Sequence, residues 1–180
     1  LDDTPKVAEY IAECSRLGIE VVPPHVNVSS ERFTPKDGKI YFGLLAVRNV
    51  GAGFIREIER ERETGGEFKS FYSFCKRMQD KEFNKRAVES LIKCGALDGL
   101  GANRRQMLYA FPEISAQLEN DRRRNIDGQL GFFDAAPSEA PQGEYRMPTL
   151  EEMDKRELLR LEKEMTGLYL MGHPMAEYEQ

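Results

Sequence analysis

A mainly α fold carrying one small β-hairpin is what this sequence predicts, and three observations predict it. Apolar residues recur at helical spacing from Gly43 onward. Extended and alternating runs are confined to residues 19–42, and glycine or proline interrupts the helical runs at short intervals. With 180 residues, the chain is long enough for one compact domain or two small ones whose core needs no covalent staple.

Thr4 is placed to cap a helix with Pro5 at its first position. Val7, Tyr10, Ile11, Cys14 and Leu17 then mark one apolar stripe, which Gly18 ends. Ile19 to Val22 has the composition of a short strand halted by Pro23-Pro24, and Arg32 to Phe42 that of a hairpin turning at Asp37-Gly38. Leu44, Leu45 and Val47 predict a short helix, Val50 to Gly53 a turn, and Ile55 with Ile58 the buried side of a charged helix that runs to about Glu63. On that helix Glu57, Glu59, Glu61 and Glu63 alternate with arginines, the pattern of a solvated face.

Past the breaker Thr64-Gly65-Gly66, the spacing of Phe71, Phe74, Cys75 and Met78 predicts a core-facing helix. Asn84 caps another, which carries Ala87, Val88, Leu91 and Ile92 and is closed by Gly95. Asn103 caps the next, with Gln106 set for a reciprocal bond, Met107, Leu108 and Phe111 as its apolar side, and Pro112 as an expected kink. Residues 120–148 lack periodicity, and the prolines and glycines between Pro137 and Gly143 predict a mobile linker. Thr149 with Glu152 reads as a capping box, and Leu158, Leu161, Met165 and Leu168 sustain a last helix that Gly167 weakens.

The string Arg48-Asn49-Val50-Gly51-Ala52-Gly53-Phe54 is the most informative in the chain. Close approach of backbone amides to a phosphate needs residues without a Cβ, free to take positive φ, and Gly51 and Gly53 meet that need. A helix starting near Phe54 aims its unpaired N–H groups at the same place, with Arg48 and Arg56 as supporting cations. Residues Asn84 to Phe111 repeat the plan: helix, a turn with Gly95, Gly99 and Gly101, and a helix opened by Asn103-Arg104-Arg105. Two such helix-hairpin-helix units pair to hold both strands of a duplex, although the second turn lacks the apolar-Gly-apolar-Gly pattern and is open to a bracing role instead. Contacts of this kind read phosphates and not bases.

Charge distribution permits this. The net charge is -5, yet residues 69–124 hold 12 basic and 7 acidic side chains, against 9 and 12 before them and 5 and 12 after. No apolar run approaches the roughly 20 residues a membrane helix needs, and we expect a cytoplasmic protein. Cys14, Cys75 and Cys94 sit in apolar helical patterns as reduced thiols, and no ligand spacing for a metal is present. His25 and His173 stand apart beside prolines, as structural residues do. Arg122-Arg123-Arg124 is either solvated or a further DNA contact. Leu1 at the start and Gln180 at the end lead us to expect a piece of a longer chain.

Several blocks occur in an order that resembles a known family. They are Tyr10-Ile11-Ala12-Glu13-Cys14, Val22-Pro23-Pro24-His25-Val26-Asn27, Phe42-Gly43-Leu44 with Val50 to Gly53, Phe68-Lys69-Ser70, Asn84-Lys85-Arg86 with Glu89 to Asp98, and Gly167 to Pro174. Together they resemble bacterial DNA polymerase III alpha subunits, the C-family replicative polymerases; His25 departs from the acidic residue common there. The resemblance implies that residues 1–42 end a fingers domain with its connecting β-hairpin. It implies a tandem helix-hairpin-helix domain over 43–120, a flexible linker with a clamp-binding peptide over 121–148, and a helix leading toward an OB domain over 149–180. It further implies a parent DNA-directed DNA polymerase whose Mg2+ ions sit on palm carboxylates absent from this chain, so no catalytic, metal or cofactor residue is assigned here. Implied partners are primer-template duplex DNA, a sliding clamp and other replisome subunits. The peptide Gln129-Leu130-Gly131-Phe132-Phe133 resembles the short segment by which bacterial polymerases hold the clamp, with Gln129, Leu130, Phe132 and Phe133 as the contacts. Two alternatives stay open: an error-prone paralogue of the same family, and a protein-interaction scaffold without DNA affinity.

Overall fold

A computed structural model describes residues 4–81, 83–127 and 145–172. Helix α1 spans Thr4–Arg16, strands β1, β2 and β3 span Glu20–Val22, Thr34–Lys36 and Lys39–Tyr41, and a single 3-10 turn covers Leu44–Ala46. Helices α2 to α6 follow at Ala52–Gly65, Phe71–Met78, Lys85–Lys93, Arg104–Asp127 and Lys155–Thr166. The mainly α character and the hairpin at Asp37-Gly38 match the sequence expectation. Asp37 and Gly38 both take positive φ (52° and 75°), the signature of a mirror-image turn suited to a tight hairpin. The sheet adds a feature with no local signal: β1 pairs parallel to β3, giving the order β1-β3-β2.

The core lies among α2 to α5. Phe71, Phe74, Cys75 and Met78 of α3 are all fully buried, as are Ala87, Val88, Leu91 and Ile92 of α4. These are the residues whose spacing predicted a core. Phe71 meets Phe111 of α5 edge to face, and Phe68 meets Phe74 likewise. On α1, by contrast, the stripe residues Tyr10 and Leu17 are exposed while Val7, Ile11 and Cys14 are half-buried.

Loop 23–30 fastens the small sheet to the helices. Asn27 Nδ2 donates to the Phe68 carbonyl and Asn27 Oδ1 accepts from Phe68 N–H, while Arg62 of α2 donates to the carbonyls of Val26 and Ser29. His25 accepts from Asn27 N–H at Nδ1 and meets the Asp98 carbonyl at Nε2, a structural role that uses both ring nitrogens. The charged face of α2 is therefore not simply solvated. Glu61 pairs with Arg77 of α3 and with Lys81 just beyond that helix, and Arg77 lies 4.3 Å over the Phe68 ring.

Two expectations beyond residue 120 need correction. Helix α5 continues through Pro112 and runs on to Asp127, because Leu118 is buried and ion pairs Glu119–Lys85 and Arg122–Asp80 tie its second half to the body. The Arg122-Arg123-Arg124 run is thus helical and exposed, and not a linker. At the other end, Tyr145 and Met147 pack against the core, with Tyr145 stacked on Tyr72, so these residues belong to the helical body too. Residues Gln129, Leu130, Phe132, Phe133 and His173 lie outside the described residues.

Candidate nucleic-acid interface

The first hairpin forms as follows. Leu44 and Val47 bury their side chains, Arg48 N–H donates to the Met165 carbonyl of α6, and Val50 is buried beneath the turn. The chain reverses at Asn49, which adopts φ 63° and donates from Nδ2 to Ser90 Oγ of α4. Asparagine tolerates this left-handed geometry better than most residues. Gly51 and Gly53 do not take positive φ, contrary to expectation: Gly51 is extended at φ -92°, and Ala52 and Gly53 already lie in α2, whose first bond runs from Ile55 N–H to the Gly51 carbonyl. The helix begins at Ala52 and not near Phe54, because Asn49 completes the reversal two residues before Gly51.

What the glycine provides is openness. A Cβ placed on Gly51 would meet nothing within 4 Å, and no side chain caps α2. Every later helix does carry such a cap among the described residues. Ser70 Oγ accepts from Ser73 N–H at α3, Asn84 Oδ1 from Arg86 N–H at α4, Asn103 Oδ1 from Gln106 N–H at α5, and Asp154 Oδ1 from Glu157 N–H at α6. The first turn of α2 thus presents amides with the positive end of the helix dipole and no acceptor of its own. Arg48 and Arg56 flank it, both exposed; Arg56 makes one long contact, 3.5 Å, to Glu31.

The second hairpin is built differently. Its turn uses positive φ at Gly95, Gly99 and Gly101, and the reciprocal Asn103–Gln106 bonds form as the sequence predicts. The amides at the start of α5 are already taken, however. Glu152 Oε2 accepts from Arg104 N–H at 2.9 Å and Glu152 Oε1 from Arg105 N–H at 3.2 Å. Partial burial works against the Glu152 carboxylate, but these amides and that of Met153 hold its pKa below the ordinary value. Glu152 therefore does not form a capping box with Thr149; Asp154 caps α6, and Glu152 caps α5 across 48 residues of sequence.

Nor is the Arg104 side chain available as a surface cation. It is 1% exposed and donates to Asp98 from Nε (2.9 Å) and Nη2 (2.7 Å) and to the Lys93 carbonyl from Nη1. Asn103 Nδ2 is spent on the Leu150 carbonyl. Of the second unit's expected contacts, Arg105 and Gly101 are exposed, while Gly95, Arg104 and Asn103 serve the fold. Sequence reasoning missed Ser90, which holds Asn49, and the cross-chain cap by Glu152; neither has a local signal. Among the described residues no group of three or more His, Cys, Asp or Glu side chains converges as a metal site.

A family model described as the helix-hairpin-helix motif matches residues 18–107. The chain belongs to the helix-hairpin-helix family. The match takes in the first hairpin, α3, α4 and the second turn as far as the start of α5. This helix-hairpin-helix chain is also homologous to DNA polymerase III subunit alpha along nearly all of its length. It is 43% identical to that protein from Thermus aquaticus over 179 residues, 98% of this chain. Identity is 35% to that from Vibrio cholerae and 32% to that from Escherichia coli K12, each over 99% of this chain. The chain spans 14% to 15% of the length of these three relatives.

Proposed function

We propose that this chain is the duplex-DNA-binding region of a bacterial replicative polymerase and that its grip on DNA is carried by the first hairpin. The uncapped start of α2 is the observation that carries the reading. Gly51 leaves the approach open, Ala52 and Gly53 add little bulk, and Arg48 and Arg56 supply positive charge beside helix amides that hold no acceptor. Arg105 and Gly101 stand as secondary contacts on the second unit. Contact through backbone amides and guanidinium groups gives affinity for phosphates without base readout, which suits a region that must slide along any sequence.

The parent protein in this reading is a cytoplasmic DNA-directed DNA polymerase whose Mg2+-binding carboxylates lie elsewhere in the longer chain. Gln129, Leu130, Phe132 and Phe133 tether it to the sliding clamp, and other replisome subunits bind through the remainder of the parent. The homologous polymerase subunits support this assignment.

Fluorescence anisotropy against duplex and single-stranded DNA across a salt series tests the DNA grip. Log affinity should fall with log salt at a slope of about -0.9 for each phosphate neutralised. Absence of binding at low salt favours the scaffold alternative and sinks the reading. For the tether, Phe132→Ala with Phe133→Ala should abolish capture by immobilised clamp and leave DNA affinity unchanged; undiminished capture refutes it.

A further inference from the structure

Glu162 of α6 is fully buried, and its surroundings do not balance its charge. Oε2 accepts from Met171 N–H at 3.3 Å, and Oε1 is buried with no hydrogen-bond partner. The charged and titratable groups facing it are Arg104 of α5, Asp98 of the second hairpin and Cys94 at the end of α4. Lys163 of α6 lies 4.6 Å from the ring of Tyr169 on the turn that follows the helix. The Arg104 guanidinium is committed to Asp98, to the Lys93 carbonyl and, through Nη2, to Met171 Sδ at 3.5 Å.

Met171 is therefore held at two points, its amide by Glu162 and its sulfur by Arg104. A count of charge in this compartment decides what Glu162 must be. Arg104 is already paired with the half-exposed carboxylate of Asp98, and burial pushes the Cys94 thiol up to about 12, so it carries no charge. An ionised Glu162 would place a buried charge, one oxygen of it without a partner, beside a guanidinium already spent on Asp98 and the Lys93 carbonyl, which is costly.

We propose that Glu162 is a proton-operated latch: with its carboxyl neutral it holds the Leu168–Gly172 turn against the second hairpin, and with its carboxyl ionised it releases that turn. Burial raises the Glu162 pKa to about 7, against the opposing pull of the Met171 amide and Arg104. The folded chain thus binds this proton more tightly than the unfolded chain does. The stability it contributes is complete below the ordinary carboxylate range and is lost as pH rises through about 7. A carboxylate that merely braced the turn would show no such dependence near neutrality.

Hydrogen exchange of the Met171 amide and thermal unfolding, measured from pH 5.5 to 8.5 on the full chain and on Glu162→Gln, test the latch. The glutamine side chain mimics the neutral acid. We expect the Met171 protection factor, corrected for intrinsic exchange, to fall at least tenfold with rising pH in the native chain and to stay level in the variant. The melting temperature of the native chain should drop relative to the variant over the same interval. Parallel profiles overturn the proposal. Should the variant fail to fold, carboxyl carbon NMR of the native chain decides instead: a Glu162 midpoint near 7 upholds the latch, and one in the ordinary carboxylate range overturns it.

Discussion

Arg104 illustrates how residue type and residue role diverge. By composition it is a cation beside a helix start in a basic stretch, the description of a phosphate contact. In the fold it is among the largest fully buried side chains, and its place exists because Gly95 has φ 86° and no Cβ; a methyl there would overlap the guanidinium. Arg104→Ala should cost about 3 kcal/mol, through an emptied site and an unpaired Lys93 carbonyl, with Asp98 partly rescued by water. Urea unfolding measures that loss. DNA affinity per folded molecule should not change, and a tenfold fall would reinstate Arg104 as a DNA contact. Gly95→Ala should be at least as damaging in the same unfolding assay, since it meets both the positive φ and the overlap.

Helix starts separate grip from brace. Helices α3 to α6 close their first turns with their own side chains, and α5 recruits Glu152 in addition, whereas α2 leaves its first turn open. Gly51→Asp supplies the missing acceptor. It should stabilise α2 by about 0.5 to 1 kcal/mol and, by placing a carboxylate where a phosphate would sit, weaken duplex binding at least roughly tenfold. Calorimetry and anisotropy on one preparation check both arms; unchanged DNA affinity removes α2 from the interface. Most helix boundaries were legible because caps and closures act within four residues: Asn84 and Asn103 with Gln106 do what their spacing predicts. What local pattern could not convey is pairing across distance. The parallel β1–β3 register, the reach of Glu152 to α5 and the Asn49–Ser90 bond join segments far apart in sequence. Even at the first hairpin the glycines were located correctly and their geometry was not, because Asn49 takes the left-handed conformation expected of them.

At the scale of the whole molecule, the sheet and the helices form one unit through loop 23–30. Asn27→Ala would strip partners from both the amide and the carbonyl of Phe68 and should cost about 1 to 3 kcal/mol, read as a lowered melting temperature. An unchanged melting temperature would show that the loop is carried by Arg62 alone. The parallel pairing of β1 with β3 has a mechanical corollary. A pull that separates α1 from the helical body draws β1 by its N-terminal end and β3 by its C-terminal end. Parallel neighbours loaded in that way are sheared, so their hydrogen bonds resist together and do not unzip one at a time. Because β3 runs on through Phe42 and Gly43 into Leu44–Ala46, tension that passes this ribbon is shared between the first hairpin, along the backbone, and loop 23–30, where Asn27 and Arg62 hold it, so the element that we propose touches DNA feels a tug from the N-terminal side only after the sheared strands give way.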